Sequence, residues 1–368
     1  MASGGTHILD FHLFWSFAPA GHSLLRTATY MDIQEGVQLK DYTTFHIGGT
    51  ADFFIRVRTV DELKDAVRFA REKMLPITIL GGGSNMLVGE QGIRGVVIKM
   101  DIGGIRYEPT GQYDALVHVG AGTILDALVE DTIAHGYWGL ENLSAIPGTV
   151  GATPVQNVGA YGVEIGSRIA RVVVYDTAAE KEITLPATVC AFGYRTSLFK
   201  TGAGKHYIIT GVTFALTRVP RPHIEYADLR KTFGDTVPSQ RDIRAALIQI
   251  RGNKFPDWTK VGTAGSFFKN PSVSKEAYAT LKTKYETLPG YENEDGSIKI
   301  PLGFVIDKII GMRGVRSGDV GTYEAQSLVI VNYKDATAYE VDIFAREIEK
   351  KVFAAIGVSI EREVQMFL

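Results

Sequence analysis

Apolar and polar positions change period along this chain, and from Val37 onward the changes predict alternating strands and helices. Residues 51–57 (Ala-Asp-Phe-Phe-Ile-Arg-Val) read as a strand. Thr59 then opens a helix, and Glu62 three residues on completes a capping box. Leu63, Ala66, Val67, Ala70 and Met74 recur at helical spacing as its apolar face. Pro76 ends that helix, and residues 77–80 form a short buried strand. Further strands are expected at 96–98, 116–119, 172–176 and 207–216, with a helix over 124–135 stopped by Gly136. Pro220 and Pro222 break any regular element, so residues 218–222 read as a linker. Beyond it Ser239 begins a helix with the stripe Ile243, Leu247 and Ile250. Helices over 301–310 and 337–353 flank a strand at 328–332, and residues 358–364 form a last strand carrying Glu361 and Glu363 on one face.

Bulk properties exclude several classes. With 368 residues the chain exceeds one compact core and divides into two or three domains. Hydrophobic residues at 45 %, charged residues at 22 % and a net charge of −2 describe a globular protein without an electrostatic grip on nucleic acid. One cysteine, Cys190, allows no internal disulfide and no thiolate metal cluster, and it reads as buried packing in a reducing compartment. No apolar run reaches the ~20 residues of a membrane span. The first thirty residues carry an apolar patch around Phe11, Phe14, Trp15 and Phe17, but Arg26 is their first basic residue. A secretory signal places its basic residues first, so the segment reads as a poorly ordered extension.

Three segments carry the chemistry. Gly81-Gly82-Gly83-Ser84-Asn85 follows a strand, and successive backbone N–H groups there can point into one concavity that suits phosphate. No long helix follows, so this is not the dinucleotide fingerprint of a Rossmann fold, and a glycine-rich hairpin connection is the alternative. Residues 146–162 (IPGTVGATPVQNVGAYG) are small, nearly uncharged and without period, as in a segment that wraps a flat ligand or a buried loop. Residues 265–271 (Gly-Ser-Phe-Phe-Lys-Asn-Pro) read as a loop that puts the Ser266 hydroxyl and the Asn270 carboxamide beside a buried Phe pair, either a built site or a packed turn.

In this order and spacing, these segments with residues 192–200 and 361–364 resemble the bacterial UDP-N-acetylenolpyruvoylglucosamine reductases, over roughly residues 34–366. Tyr226 and Tyr291 look like the subgroup that folds a tyrosine loop over its substrate. The resemblance implies an α+β chain: a two-subdomain FAD-binding fold of the PCMH/vanillyl-alcohol-oxidase type, then an α+β substrate-binding domain. The expected divisions are an N-terminal extension at 1–33, FAD subdomains at 34–98 and 99–219, a substrate domain at 220–357 and a C-terminal strand at 358–368. It also implies a cytoplasmic, monomeric enzyme of peptidoglycan synthesis, and so of cell-wall biogenesis, cell shape and cell division.

By the same resemblance FAD is bound non-covalently and NADPH is the co-substrate, with hydride passing from the flavin N5 to C3 of an enolpyruvyl UDP-sugar. Ser266 is the implied proton donor to C2, with Arg195 and Glu363 as companions. The implied cofactor contacts are Gly81, Gly82, Gly83, Ser84, Asn85, Ile146, Pro147, Gly148, Gly151, Ala152, Gln156, Asn157, Gly159, Ala160 and Tyr161. Those for substrate are Tyr194, Tyr226, Lys254, Asn270, Tyr291 and Gln326. Chemistry agrees with the division. A neutral serine is a weak acid and donates only to a strongly basic centre, when positioned in advance. An arginine fork suits a carboxylate on which charge grows. Glu363 beside a developing anion fits if it is protonated or hydrogen-bonds an enol. Gln365 stands where many relatives have arginine. The rival readings are another FAD-dependent oxidase of the same fold, with Cys190 or His46 as the nearest tethering side chains, and a non-catalytic flavin-binding sensor.

Overall fold

The computed structural model describes residues 31–368. Most of the expected N-terminal extension therefore lies outside the described residues, and its last residue, Ile33, already belongs to a strand. The first subdomain runs β1 (Ile33–Gln38), β2 (Thr50–Val57), α1 (Val60–Glu72), β3 (Ile77–Leu80), β4 (Met86–Val88) and β5 (Ile93–Met100). Its sheet has the order β1-β2-β5-β3, with β1 antiparallel to β2 and both β2 and β3 parallel to β5. Leu63, Ala66, Val67 and Ala70 bury one face of α1 as the spacing requires. Met74 does not join them: the helix closes at Glu72, and Met74 is 91 % exposed at φ +54. The capping box is also only half formed. Thr59 Oγ1 accepts the Glu62 N–H, but the Glu62 carboxylate accepts from the Arg58 N–H at 2.5 Å.

The second subdomain is β6 (Ile105–Pro109), β7 (Asp114–Gly120), α2 (Leu125–Ala134), β8 (Ile169–Asp176), β9 (Lys181–Pro186) and β10 (Tyr207–Thr217). These strands form an antiparallel sheet in the order β9-β8-β10-β7-β6. Both subdomains share one apolar core, in which Ile55, Leu63 and Ile98 meet Val117, Leu128 and Phe214.

After the 218–222 linker, α3 (Ala227–Phe233) and α4 (Gln240–Lys254) fold back on the second subdomain. Leu229, Ile243 and Leu247 bury against Trp138 and Tyr161, and Arg244 grips Asp126 of α2 at 2.5 and 3.0 Å. A separate core then gathers β11 (Gly262–Ser266), α5 (Lys275–Lys284), β12 (Val320–Thr322), β13 (Val329–Asn332) and α6 (Ala338–Ile356). Thr337 and Glu340 close a full capping box on α6, and Gly357 at φ +68 ends it. The helix expected at 301–310 is one α turn, Leu302–Phe304, running into π-helical Val305–Ile309. No helix among the described residues is long and apolar enough to cross a membrane.

Two expectations about the end of the chain shift. Residues 265–266 close an edge strand, β11, rather than lying wholly in a loop. Residues 358–364 are not a strand beyond a single bridge from Phe268 to Arg362. Regular pairing begins at β14 (Gln365–Phe367), which runs parallel to β4. The tail thus stitches the C-terminal unit to the first subdomain.

Candidate active site

A cavity of about 860 Å³ lies where the three units meet, large for a small-molecule site. One wall is the glycine run after β3. A Cβ on Gly82 would sit 2.7 Å from Gly148 Cα, and one on Gly83, at φ +64, would sit 1.9 Å from the Tyr42 carbonyl oxygen. Only glycine lets these two backbones approach so closely. Ser84 Oγ donates to the Pro147 carbonyl at 3.2 Å, which ties the run to the second wall. That wall is the 146–161 segment, where Ile146, Gly148, Gly151, Ala152, Gly159 and Ala160 face the space. Backbone amides at a glycine run beside a smooth wall of small residues fit an extended, flat, phosphate-bearing group.

A further side is built by the tail, which adjoins the glycine run through Asn85. Phe267 and Phe268 are each 1 % exposed, so the backbone around Ser266 is held by its two aromatic neighbours. Residues 267–269 hydrogen-bond the tail in place of a strand partner. Glu363 N–H donates to the Phe267 carbonyl at 2.8 Å, and Lys269 N–H to that of Glu361 at 2.9 Å. Arg362, between them, points away and binds Asp342 and Glu349 of α6 at 2.6 Å each. Alternation along the extended tail therefore sends Glu361 and Glu363 to the other side. Lys269 pairs with Glu361 at 2.6 Å, and Arg195 Nε stands 3.0 Å from Glu363 Oε1. Asn85 Nδ2 completes the junction, donating to Gln156 Oε1 at 2.8 Å and to the Glu363 carbonyl at 3.2 Å. Ser266, Arg195 and Glu363 all line the cavity, although they come from three distant segments.

Of the residues expected to meet substrate, Tyr194, Tyr226, Lys254, Asn270 and Gln326 line the cavity and Tyr291 does not. Tyr291 is 59 % exposed on a short strand at the rim. Asn157, expected at the cofactor, also stands outside the wall, buried behind it. Asn270 Oδ1 accepts the Leu302 N–H at 2.8 Å, which fixes the loop on which it lies. Lys254 is ion-paired with Asp228 at 2.5 Å, and Tyr226 packs edge-on against Tyr161 with ring centroids 5.2 Å apart.

The sequence reading missed Arg251, which lines the cavity one turn before Lys254. Spacing i, i+3 on α4 puts both cations on one face, and that was a usable signal. Arg251 Nε donates to the Ala145 carbonyl at 3.1 Å, and its guanidinium lies 4.7 Å from the Phe255 ring centroid. Burial pulls its pKa below the usual arginine value, against the opposing pull of Tyr161 and Asp126. Burial raises that of the Tyr161 phenol, opposed by Arg251 and Lys254.

Comparison with known proteins gives a consistent result. Residues 51–180 match the family model described as FAD binding domain. Residues 257–367 match that of the UDP-N-acetylenolpyruvoylglucosamine reductase C-terminal domain. The chain is 41 % identical to the UDP-N-acetylenolpyruvoylglucosamine reductase of Ralstonia nicotianae, covering 88 % of this chain and 95 % of that one. It is 39 % identical to the enzyme of the same name from Pseudomonas putida, over 91 % and 98 %. Among solved structures, the UDP-N-acetylenolpyruvylglucosamine reductase of Thermus caldophilus matches with a TM-score of 0.65 and 27 % identity, covering 92 % of this chain and all of that one.

Proposed function

The chain belongs to the UDP-N-acetylenolpyruvoylglucosamine reductase family, an FAD-dependent oxidoreductase, and from that premise we propose that it reduces UDP-N-acetylglucosamine enolpyruvate to UDP-N-acetylmuramate with NADPH. The observation that carries this reading is that Ser266, Arg195 and Glu363 line the same cavity as the glycine cradle, with Arg195 against Glu363. The setting is cytoplasmic peptidoglycan synthesis. The working unit in this reading is one chain.

FAD, when bound, supplies the redox chemistry: hydride taken from NADPH and delivered to C3 of the enolpyruvyl group. Gly81, Gly82, Gly83 and Ser84 would hold its phosphates by backbone N–H groups, and Gly148, Gly151 and Ala152 would admit its flat ring system. The remaining work belongs to side chains. Hydride arrival at C3 leaves negative charge on C2 and its carboxylate. Arg195 faces that carboxylate, because a guanidinium has more N–H donors than its contacts to Glu363 and to the Gly159 carbonyl use. Glu363 pairs with the guanidinium by charge while the hydrogen bond to the Gly159 carbonyl directs it, and both lower the reorganisation needed when charge develops. Ser266 gives its hydroxyl proton to C2, from a position set by the buried Phe267 and Phe268. Lys254 and Arg251 supply positive charge for the diphosphate, and Tyr194 and Tyr226 close over the sugar nucleotide.

Loss of NADPH absorbance by the purified yellow protein tests the reading. Stoichiometric consumption only in the presence of UDP-N-acetylglucosamine enolpyruvate is expected. Consumption that ignores this substrate and tracks oxygen would replace the proposal with an oxidase.

A further inference from the structure

Arg195 sits in the left-handed region at φ +53, a backbone conformation that costs free energy for any residue with a Cβ. Such a residue persists only where its surroundings over-determine it. Tyr194 and Arg195 are the tip of a tight turn whose base is a reciprocal pair, Gly193 N–H to the Thr196 carbonyl at 3.1 Å and Thr196 N–H to the Gly193 carbonyl at 3.2 Å. The tip carries two groups that face the cavity, so whatever fixes the base aims the guanidinium.

Asn157 fixes it. Its carboxamide is 2 % exposed, stands outside the cavity wall, and has both ends engaged. Nδ2 donates to the Gly193 carbonyl at 3.1 Å and to Glu164 Oε2 at 2.7 Å, while Oδ1 accepts the Gly166 N–H at 2.8 Å. One side chain thereby joins the turn base to the 157–166 segment. On the other flank Ser197, also 2 % exposed, donates its hydroxyl to the Val155 carbonyl at 2.6 Å. Arg195 itself donates to the Gly159 carbonyl at 2.9 Å, two residues along the segment that Asn157 anchors. A buried carboxamide with all its contacts directional sets distance and angle together, which apolar packing does not.

Resting on the reductase reading above, we propose that Asn157 is a positioning residue for the reaction: it holds the Gly193 carbonyl so that Arg195 meets the enolpyruvyl carboxylate, with Ser197 as the second anchor. It does not line the cavity and acts through Arg195.

The variant N157D/E164Q isolates this role. It keeps the 157–164 hydrogen bond with donor and acceptor exchanged and keeps an acceptor for the Gly166 N–H, but removes the side-chain donor to the Gly193 carbonyl, which retains only the Thr196 N–H within its own turn. In rapid mixing, substrate-driven reoxidation of the reduced enzyme is expected to slow about 100-fold, the scale of a misplaced catalytic group. FAD content and the rate of FAD reduction by NADPH stay at wild-type values, while the melting temperature falls because the new buried carboxylate faces the Gly193 carbonyl. Placed in an R195M background, the same two changes slow reoxidation no further. Wild-type reoxidation in N157D/E164Q, or an equal loss with and without R195M, overturns the proposal. S197A provides an independent test with a smaller loss and the same dependence on Arg195, and it decides the matter if the double variant does not fold. A wild-type protein that fails to consume NADPH with the enolpyruvyl substrate sinks the reductase reading instead, before any variant is compared.

Discussion

The two faces of the cavity do the same kind of work, holding groups still, but they are built in opposite ways. The glycine cradle is consecutive sequence: Gly81 to Gly83 leave a strand, turn, and present backbone to the space. The facing cluster is assembled from residues far apart in the chain, and it exists only because 361–363 lie along 267–269 while Asn85 holds the Glu363 carbonyl. A cradle of this kind fails when a Cβ is added; a cluster of this kind fails when an angle changes. The difference predicts separable defects, with cofactor loss on one side and slow chemistry on the other.

Gly83→Ala is the largest expected break in cofactor binding. The added Cβ meets the Tyr42 carbonyl at a non-bonded distance of 1.9 Å, and alanine at φ +64 is itself disfavoured. FAD affinity is expected to fall more than about 100-fold, a cost of some 3 kcal/mol, read by flavin fluorescence on titration. Glu363→Gln is the counterpart on the other face. It removes the ionic partner of Arg195 and should lower kcat about 10- to 100-fold with FAD content unchanged. If the pattern reversed, with Glu363→Gln losing flavin, the separation of the two faces would be wrong. Lys254→Ala should raise KM for the UDP-sugar about tenfold and spare kcat, the sign of binding lost equally in ground and transition states.

The smallest effect tests the junction that holds α4 against α2. Burial pushes the pKa of Asp126 up, but the Arg244 hydrogen bonds, the Ala145 N–H and the nearby charges outweigh it and leave the value below the ordinary 3.8. A carboxylate with a depressed folded pKa contributes stability that is present above its unfolded pKa and lost as pH falls through the folded one. Arg244→Met should therefore cost about 1 kcal/mol near neutral pH, measured by denaturant unfolding. That difference should close as the pH is lowered below 3.8.

How much of this could be read from the sequence follows from the same contrast. Strands, the α1 face and the glycine run rest on short-range periodicity and on glycine sterics, and residues 51–57, Leu63 and Gly81 to Gly83 fall where those rules put them. Met74 fell out of its stripe because the helix ends at Glu72, two residues before the pattern alone implies. The terminal strand moved to Gln365 because residues 361–363 bond a loop, a partner that no local pattern announces. The π-helical turns at Val305–Ile309 have no period signature either. At the site, the family resemblance supplied Ser266, Arg195 and Glu363, whereas their contacts had to come from the fold. Asn157 shows the limit most clearly: its motif marks it as important, but only the Gly193 carbonyl 3.1 Å away shows for what.

The account stands on Ser266 as the proton donor in the cavity that the cradle lines. Ser266→Ala, studied anaerobically by rapid mixing, tests that most directly. FAD reduction by NADPH should run at the wild-type rate, while reoxidation by UDP-N-acetylglucosamine enolpyruvate should slow about 10²- to 10⁴-fold, the range for a lost general acid. Reoxidation at the wild-type rate would contradict the account and return Ser266 to the role of a strand-end residue.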